Sequence, residues 1–187
     1  MTQKPWLATC REYGIPAEIN PDAHRSVVHM LEHAMKKYAD KPAFRSFGQT
    51  LTYADVDRQS RNFAAYLQKK LGVKKGDRIA VMMPNLLAFP IAFLGIVRAG
   101  AAQVNVNPLY TPRELEHQLN DAGVRIMVAF SGSSATVAEV KASTPLKTII
   151  TVGPGDGSAV GKSPVKSSAR DMAFRKQAPC CPSIRCI

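Results

Sequence analysis

Three sets of side chains have the types and spacing to do chemistry. The first is Gly157-Ser158-Ala159-Val160-Gly161-Lys162-Ser163, which ends like a phosphate-cradling loop. Such a loop needs G-x-x-x-x-G-K-[ST], so that backbone amides surround the phosphates and the lysine reaches their outer oxygens. Its first glycine would fall at position 156, which is Asp156, a carboxylate that repels phosphate. No apolar helix follows Ser163, and the stretch reads as a linker. The second set is His29 and His33, spaced i, i+4 with Glu32 between them, and His24 and His117 elsewhere. A zinc helix of the form H-E-x-x-H needs the glutamate directly after the first histidine. Here Met30 stands there, so the pair reads as solvent-facing and His117 as a surface or partly buried histidine. The third set is Cys180, Cys181 and Cys186. They lack a CxxC framework and a nearby histidine, and Ile184 holds the position a prenylation signal needs for cysteine. They read as free thiols, with Cys10 alone upstream.

The elements that would position such groups alternate along 26–152. Val27, Leu31, Ala34 and Tyr38 fall on one helical face. Segments 43–47 and 51–53 flank Gly48-Gln49, a short hairpin pattern. Thr52 can cap the next helix, with Asp55 completing a capping box, an apolar face of Val56, Phe63, Tyr66 and Leu67, and Gly72 as its stop. A strand is expected over 78–83 and a helix over 86–99, with Pro90 kinking or weakening its early turns. Another strand is expected over 102–106. Thr111-Pro112-Arg113-Glu114 is a strong helix start. Leu115, Leu119 and Ala122 supply that helix's buried stripe, and Gly123 ends it. Strand 125–130, helix 134–142 and strand 147–152 complete the pattern. Repeated strand–helix–strand units with continuous apolar strands predict an α/β fold, a largely parallel sheet with helices on both faces. Strand order is not readable from the pattern.

Composition narrows the class. With 187 residues, 45% hydrophobic and 21% charged, the chain fits one globular domain with a core. Segment 1–14 has no continuous apolar stretch, so no secretory signal is expected. The most apolar segment, 86–97, is too short for a bilayer core of about 30 Å. A cytoplasmic location is the resulting expectation. The net charge of +11 is uneven: residues 1–153 carry 19 Lys/Arg against 12 Asp/Glu, and residues 154–187 carry 6 against 2. Lys36-Lys37, Lys69-Lys70 and Lys74-Lys75 come in pairs near expected helix ends, where they complement the helix dipole. There is no aromatic stacking platform or helix-turn-helix signature, so no nucleic-acid partner is expected. Weak attraction to anionic lipid at the inner membrane is compatible with the charge.

From Pro42 to about Val152 the chain resembles the N-terminal part of the AMP-forming acyl-CoA synthetases, most closely the bacterial long-chain fatty-acid–CoA ligases. The resemblance rests on KPAFRSFGQTLTYADV, on GDRIAVMMPN and above all on IVRAGAAQVNVNPLYTPRELEHQLNDAG at 96–123. AEINPD at 17–22 is similar to the amino end of that branch. The resemblance implies the N-terminal subdomain of the adenylate-forming fold. It also implies a full-length enzyme that uses ATP and Mg²⁺ to turn a fatty acid into an acyl-adenylate, then CoA to form the thioester. It leaves room for a homodimer.

The family's phosphate loop, YTSGTTG-x-x-KG, and its later ribose and lysine motifs do not occur here. No catalytic, cofactor-binding or metal residue is therefore assigned, and the expectation is a truncated ligase, inactive alone. The alternatives are a non-catalytic interaction or dimerisation module, and a basic nucleic-acid or anionic-membrane binder. The expected organisation is an N-terminal arm over 1–25, a partial AMP-binding domain over 26–153 and a tail over 154–187. The tail has no sustained period of 2 or 3.6. Its Gly, Pro, Ser and basic residues predict disorder. The joint change in periodicity, cysteine use and charge suggests that the reading frame is lost near 155–162.

Overall fold

The computed structural model describes residues 4–156 and the backbone of Arg175–Lys176. Short helix α1 spans Trp6–Glu12, and a single 3-10 turn follows at Pro21–Ala23. Helix α2 (Val27–Lys37) then leads to an antiparallel hairpin, β1 (Pro42–Ser46) and β2 (Gln49–Thr52). Four strand–helix alternations come next. They are α3 (Tyr53–Leu71), β3 (Arg78–Met82), α4 (Ala88–Arg98), β4 (Ala102–Val106), α5 (Pro112–Asp121), β5 (Ile126–Phe130), α6 (Ser134–Val140) and β6 (Thr148–Val152).

Strands β3 to β6 form the expected parallel sheet, with β3 paired to both β4 and β5. The spatial order β4-β3-β5-β6 reverses direction once. The chain moves outward from β3 to β4, then returns across β3 to β5 and β6. Right-handed crossovers in opposite directions place their helices on opposite faces. Alternate side chains along each strand confirm this. Ile79, Val81, Val128 and Ile150 pack with Phe63 and Leu67 of α3 and Ala92 and Ile96 of α4. Ala80, Met82, Met127 and Ile149 pack with Leu115 and Leu119 of α5 and Val137 and Val140 of α6. A third cluster joins Met35, Leu51, Val56, Ile91 and Leu94 beneath the hairpin.

A two-residue strand, β7 (Arg175–Lys176), pairs antiparallel with Ile150 and Thr151 on the β6 edge. The sequence pattern does not predict it, because two residues carry no periodicity. The other residues of the predicted tail lie outside those described.

Four local expectations need adjustment. The hairpin turns at Phe47-Gly48, one residue earlier than Gly48-Gln49, with both residues at positive φ (47° and 74°). That is the double left-handed geometry a tight two-residue hairpin requires. Val27 is 54% exposed, while Met35 is buried with Leu31 against it. The inward face of α2 is therefore rotated toward the hairpin. Helix α4 starts at Ala88 rather than 86, so Pro90 is its third residue. An N–H there has no intrahelical acceptor to lose, and the proline sits in the first turn without the expected disruption. Last, helix 134–142 ends at Val140 and tightens into a 3-10 turn over Lys141–Ser143.

Candidate functional site

By the general rule for open α/β sheets, ligands bind outside the carboxyl ends of the strands, where the strand order reverses. Here that point is the end of β3, whose connection 83–87 leads into α4. Met83, Leu86 and Leu87 are buried, and their backbone folds tightly: the Leu86 amide donates to the Pro84 carbonyl at 2.8 Å and the Phe89 amide to the Leu86 carbonyl at 3.0 Å. Ser46 Oγ of the hairpin donates to the Asn85 carbonyl at 3.3 Å and ties β1 to this connection.

Between hairpin and helix lies a groove of about 370 Å³ walled by Phe44, Leu86, Leu87, Phe89, Pro90 and Phe93. Phe44 and Phe93 are 44% and 36% exposed. Arg45 at the rim is held to its own hairpin by Nε–H donation to Thr50 Oγ1 at 3.2 Å. An apolar wall without a convergent polar set can hold an apolar ligand or chain segment. It cannot grip a polyphosphate.

On the other side of α4 a charged cluster joins three helices. Arg98 ends α4 with its side chain only 8% exposed. It donates to Asp57 of α3 and Glu32 of α2, and its Nη2 lies 3.5 Å from Met35 Sδ. Arg61 reaches the same two carboxylates, Asp57 at 3.0 Å and Glu32 at 3.4 Å. The hydrogen bond to Asp57 raises the Arg61 pKa above its usual value, and partial burial offsets this only in part. Each carboxylate thus faces two guanidinium groups. That arrangement clamps helices together and leaves neither carboxylate free for proton transfer or for Mg²⁺. Nothing in the sequence pattern marks this cluster directly. The available signal is one arginine closing an otherwise apolar helix.

Among the described residues, few polar groups elsewhere are buried. Burial raises the pKa of Tyr66, and its hydroxyl has no hydrogen-bond partner. Beside the charged cluster, the His24 ring lies 5.3 Å from that of His29 and 5.7 Å from that of His33, centroid to centroid, while His117 is exposed on α5. Lys36-Lys37 and Lys69-Lys70 close α2 and α3 as expected. Lys74-Lys75 instead lie in the turn before β3, where the Lys74 amide donates to Asp77 at 2.8 Å. Cys10 is half-buried on α1. The glycine stretch 157–163 and Cys180, Cys181 and Cys186 lie outside the described residues. Among the described residues no group of three or more His, Cys, Asp or Glu side chains could hold a metal ion. No described helix is long and apolar enough to cross a membrane.

Comparison with known proteins supplies what this geometry leaves open. The profile of the family described as AMP-binding enzyme matches residues 31–182, so the match continues past 153. The long-chain-fatty-acid–CoA ligase of Salmonella typhimurium is 51% identical over 151 residues, 81% of this chain and 27% of that protein. The corresponding ligase of Yersinia pestis is 48% identical over 162 residues, 86% of this chain and 28% of its own length. A solved long-chain-fatty-acid-CoA ligase from Archaeoglobus fulgidus superposes with a TM-score of 0.66 at 26% identity, over 73% of this chain and 29% of that one. The luciferase-like enzyme of the nonluminescent Zophobas morio mealworm superposes at 0.67, also at 26% identity, over 73% of this chain and 33% of its own. The chain therefore spans little more than a quarter of the curated relatives it matches. Both sequence and fold lead to one assignment: the chain belongs to the AMP-binding enzyme family.

Proposed function

We propose that this chain is the N-terminal part of a long-chain-fatty-acid–CoA ligase. The observation that carries the reading is the 51% identity to the Salmonella ligase across four-fifths of the chain. In the whole enzyme a fatty carboxylate would attack the α-phosphate of ATP, releasing pyrophosphate, and the CoA thiol would then displace AMP.

The described residues do not fit ATP or Mg²⁺. The amino end of α4 is apolar, with no side-chain cap, and the carboxylates Asp57 and Glu32, beside Arg98 at its other end, are taken by Arg61 and Arg98. The chain's contribution is the rigid sheet, the arginine clamp and an apolar wall at the end of β3, to which the remaining lobe adds the reacting groups.

Two measurements test this. The purified chain should show no fatty-acid-dependent ATP–pyrophosphate exchange. Grafting residues 31–152 into the Salmonella ligase should retain palmitoyl-CoA formation. Exchange by the isolated chain, or a folded but inactive graft, overturns the reading. Homodimerisation and contact with an anionic bilayer belong to the same proposal. Sizing chromatography and salt-dependent flotation with phosphatidylglycerol vesicles examine them. A frame change near 155–162 is a separate proposal, and the family match through residue 182 weighs against it. A ligase sequence in another frame of the downstream coding DNA supports it, and no such sequence removes it.

A further inference from the structure

We propose that the hydrogen-bonded pair His24–His29 is a pH-sensitive latch. It holds the N-terminal arm against α2 while the two rings together carry at most one positive charge, and it releases the arm when both are charged. One Nδ1–H of the pair donates to the other Nδ1, 3.4 Å away. A neutral imidazole has one donor nitrogen and one acceptor, so two neutral rings can share this bond. One added proton keeps a donor facing an acceptor and makes the bond charge-assisted, hence shorter and stronger. A second added proton turns both nitrogens into donors. No acceptor is then left between the rings, and two like charges face each other across the gap.

The arm depends on this contact because little else draws it in. Between residues 11 and 25 every side chain but that of His24 is exposed, and further upstream α1 adds only the half-buried Leu7 and Cys10. His24 follows the 3-10 turn of Pro21–Ala23, which is set by Asn20 Oδ1 accepting the Asp22 amide at 2.9 Å. His29 stands in the first turn of α2, where its amide donates to the Ser26 cap at 3.1 Å. The groups around the pair do not offset a second charge. His33, Glu32 and Lys36 of α2 and Asp57 and Arg61 of α3 line one cleft with His29. Both carboxylates there are already held by Arg61 and by Arg98 of α4. Asp22 and Arg25, beside His24 in the chain, bring one charge of each sign. The amide end of α2 carries positive partial charge at His29 itself. The released arm therefore binds more protons than the held arm, and falling pH favours release. This inference is independent of the ligase reading.

The test is NMR on the full 187-residue chain at about pH 7.5 and about pH 5, which bracket the range where imidazoles change charge. Backbone order parameters of residues 22–25 should be near the rigid value of about 0.85 at the higher pH and fall below about 0.6 at the lower, while those of α3 and α4 hold. The imidazole signals of His24 and His29 should titrate in two coupled steps, and that of His117 in one. His29→Phe keeps a ring but neither donates nor accepts, so it should abolish the pH response of residues 22–25 with an unchanged circular dichroism spectrum. His33→Ala should leave the response in place. The proposal is overturned by order that is the same at both pH values, by a response that survives His29→Phe or is lost in His33→Ala, or by His24 and His29 titrating independently in single steps.

Discussion

Helix α3 opens with a two-way side-chain cap, whereas α4, packed beside it, has none, although both end at a left-handed glycine. In α3 the Asp55 amide donates to Thr52 Oγ1 at 3.1 Å and the Thr52 amide donates back to Asp55 Oδ2 at 3.2 Å. Gly72 ends it at φ 67°. Helix α4 begins at Leu87 and Ala88 with no side-chain cap and ends at Arg98, where Gly100 at φ 80° lets the Ala101 amide return to the Ile96 carbonyl at 3.1 Å. What holds α4 is burial: Ala88, Ile91, Ala92, Leu94, Gly95 and Ile96 are all inside, packed on the sheet on one side and on the α2–hairpin cluster on the other. The two neighbouring helices thus differ at their starts: a reciprocal side-chain cap fixes one, and only the surrounding core fixes the other. Local bonding can be read along the chain. Core support needs neighbours that are distant in sequence.

Breaking α4 should therefore cost most. Ile96→Ala removes a fully buried side chain and is expected to destabilise by about 2–5 kcal/mol, measured as a lowered urea midpoint at unchanged slope. Next comes Gly95→Val. A Cβ at Gly95 would stand 2.6 Å from Phe63 Cδ1, and Phe63 is 1% exposed, so its ring has nowhere to go. Overpacking here should cost about 1–3 kcal/mol, and Phe63→Leu in the same chain should recover part of it. If Gly95→Val is neutral, the close packing of α3 on α4 is not what positions the helix.

The charged end of α4 gives an intermediate effect. Arg98→Met keeps the apolar stem and strips Asp57 and Glu32 of their shared buried partner. Both carboxylates keep Arg61 and partial access to water, so the expected loss is about 1–2 kcal/mol, well below that of a fully buried pair. A double-mutant cycle with Asp57→Asn should show coupling, and strict additivity would remove the clamp.

The smallest effects belong to α3's cap. Thr52→Ala should cost about 1 kcal/mol. Burial pushes the Asp55 carboxyl pKa up, but hydrogen bonds from the Thr52 hydroxyl and amide and from Arg58 outweigh it and hold it below its ordinary value. A carboxyl whose folded pKa is depressed stabilises the fold above the ordinary aspartate value, about 3.9, and loses that contribution as pH falls through the lower folded value. Asp55→Asn should therefore flatten the acid limb of the stability curve and leave its slope near neutral pH unchanged. An unaltered acid limb would show that Asp55 contributes no such linkage.

The same division explains what could be read in advance. Thr111, Pro112 and Glu114 announced α5, and the cap forms there as in α3: the Thr111 amide donates to Glu114 Oε2 at 2.8 Å, which with the hydroxyl bond lowers that carboxyl's pKa. The continuous apolar runs of β3, β5 and β6 announced strands covered on both faces, and they are. Val27 misled because periodicity gives a helix's stripe without saying which way its neighbours lie. The hairpin missed by one residue because Phe47 occupies a left-handed position that its side chain disfavours. The apolar groove joins Phe44 of the hairpin to Phe93 of α4, and no local pattern relates residues that far apart.

Read alone, the sequence determined the helices and strands between 26 and 152, the caps of α3 and α5, the parallel sheet and the family, because all of these follow from nearest neighbours, short periods and recurring motifs. Tertiary structure decided the strand order, the placement of α4 and α5 on opposite faces, and the meeting of Arg98 with Glu32 and Asp57. It also decided the approach of His24 to His29. Those outcomes depend on which distant surfaces bury one another, and burial is a property of the folded chain as a whole.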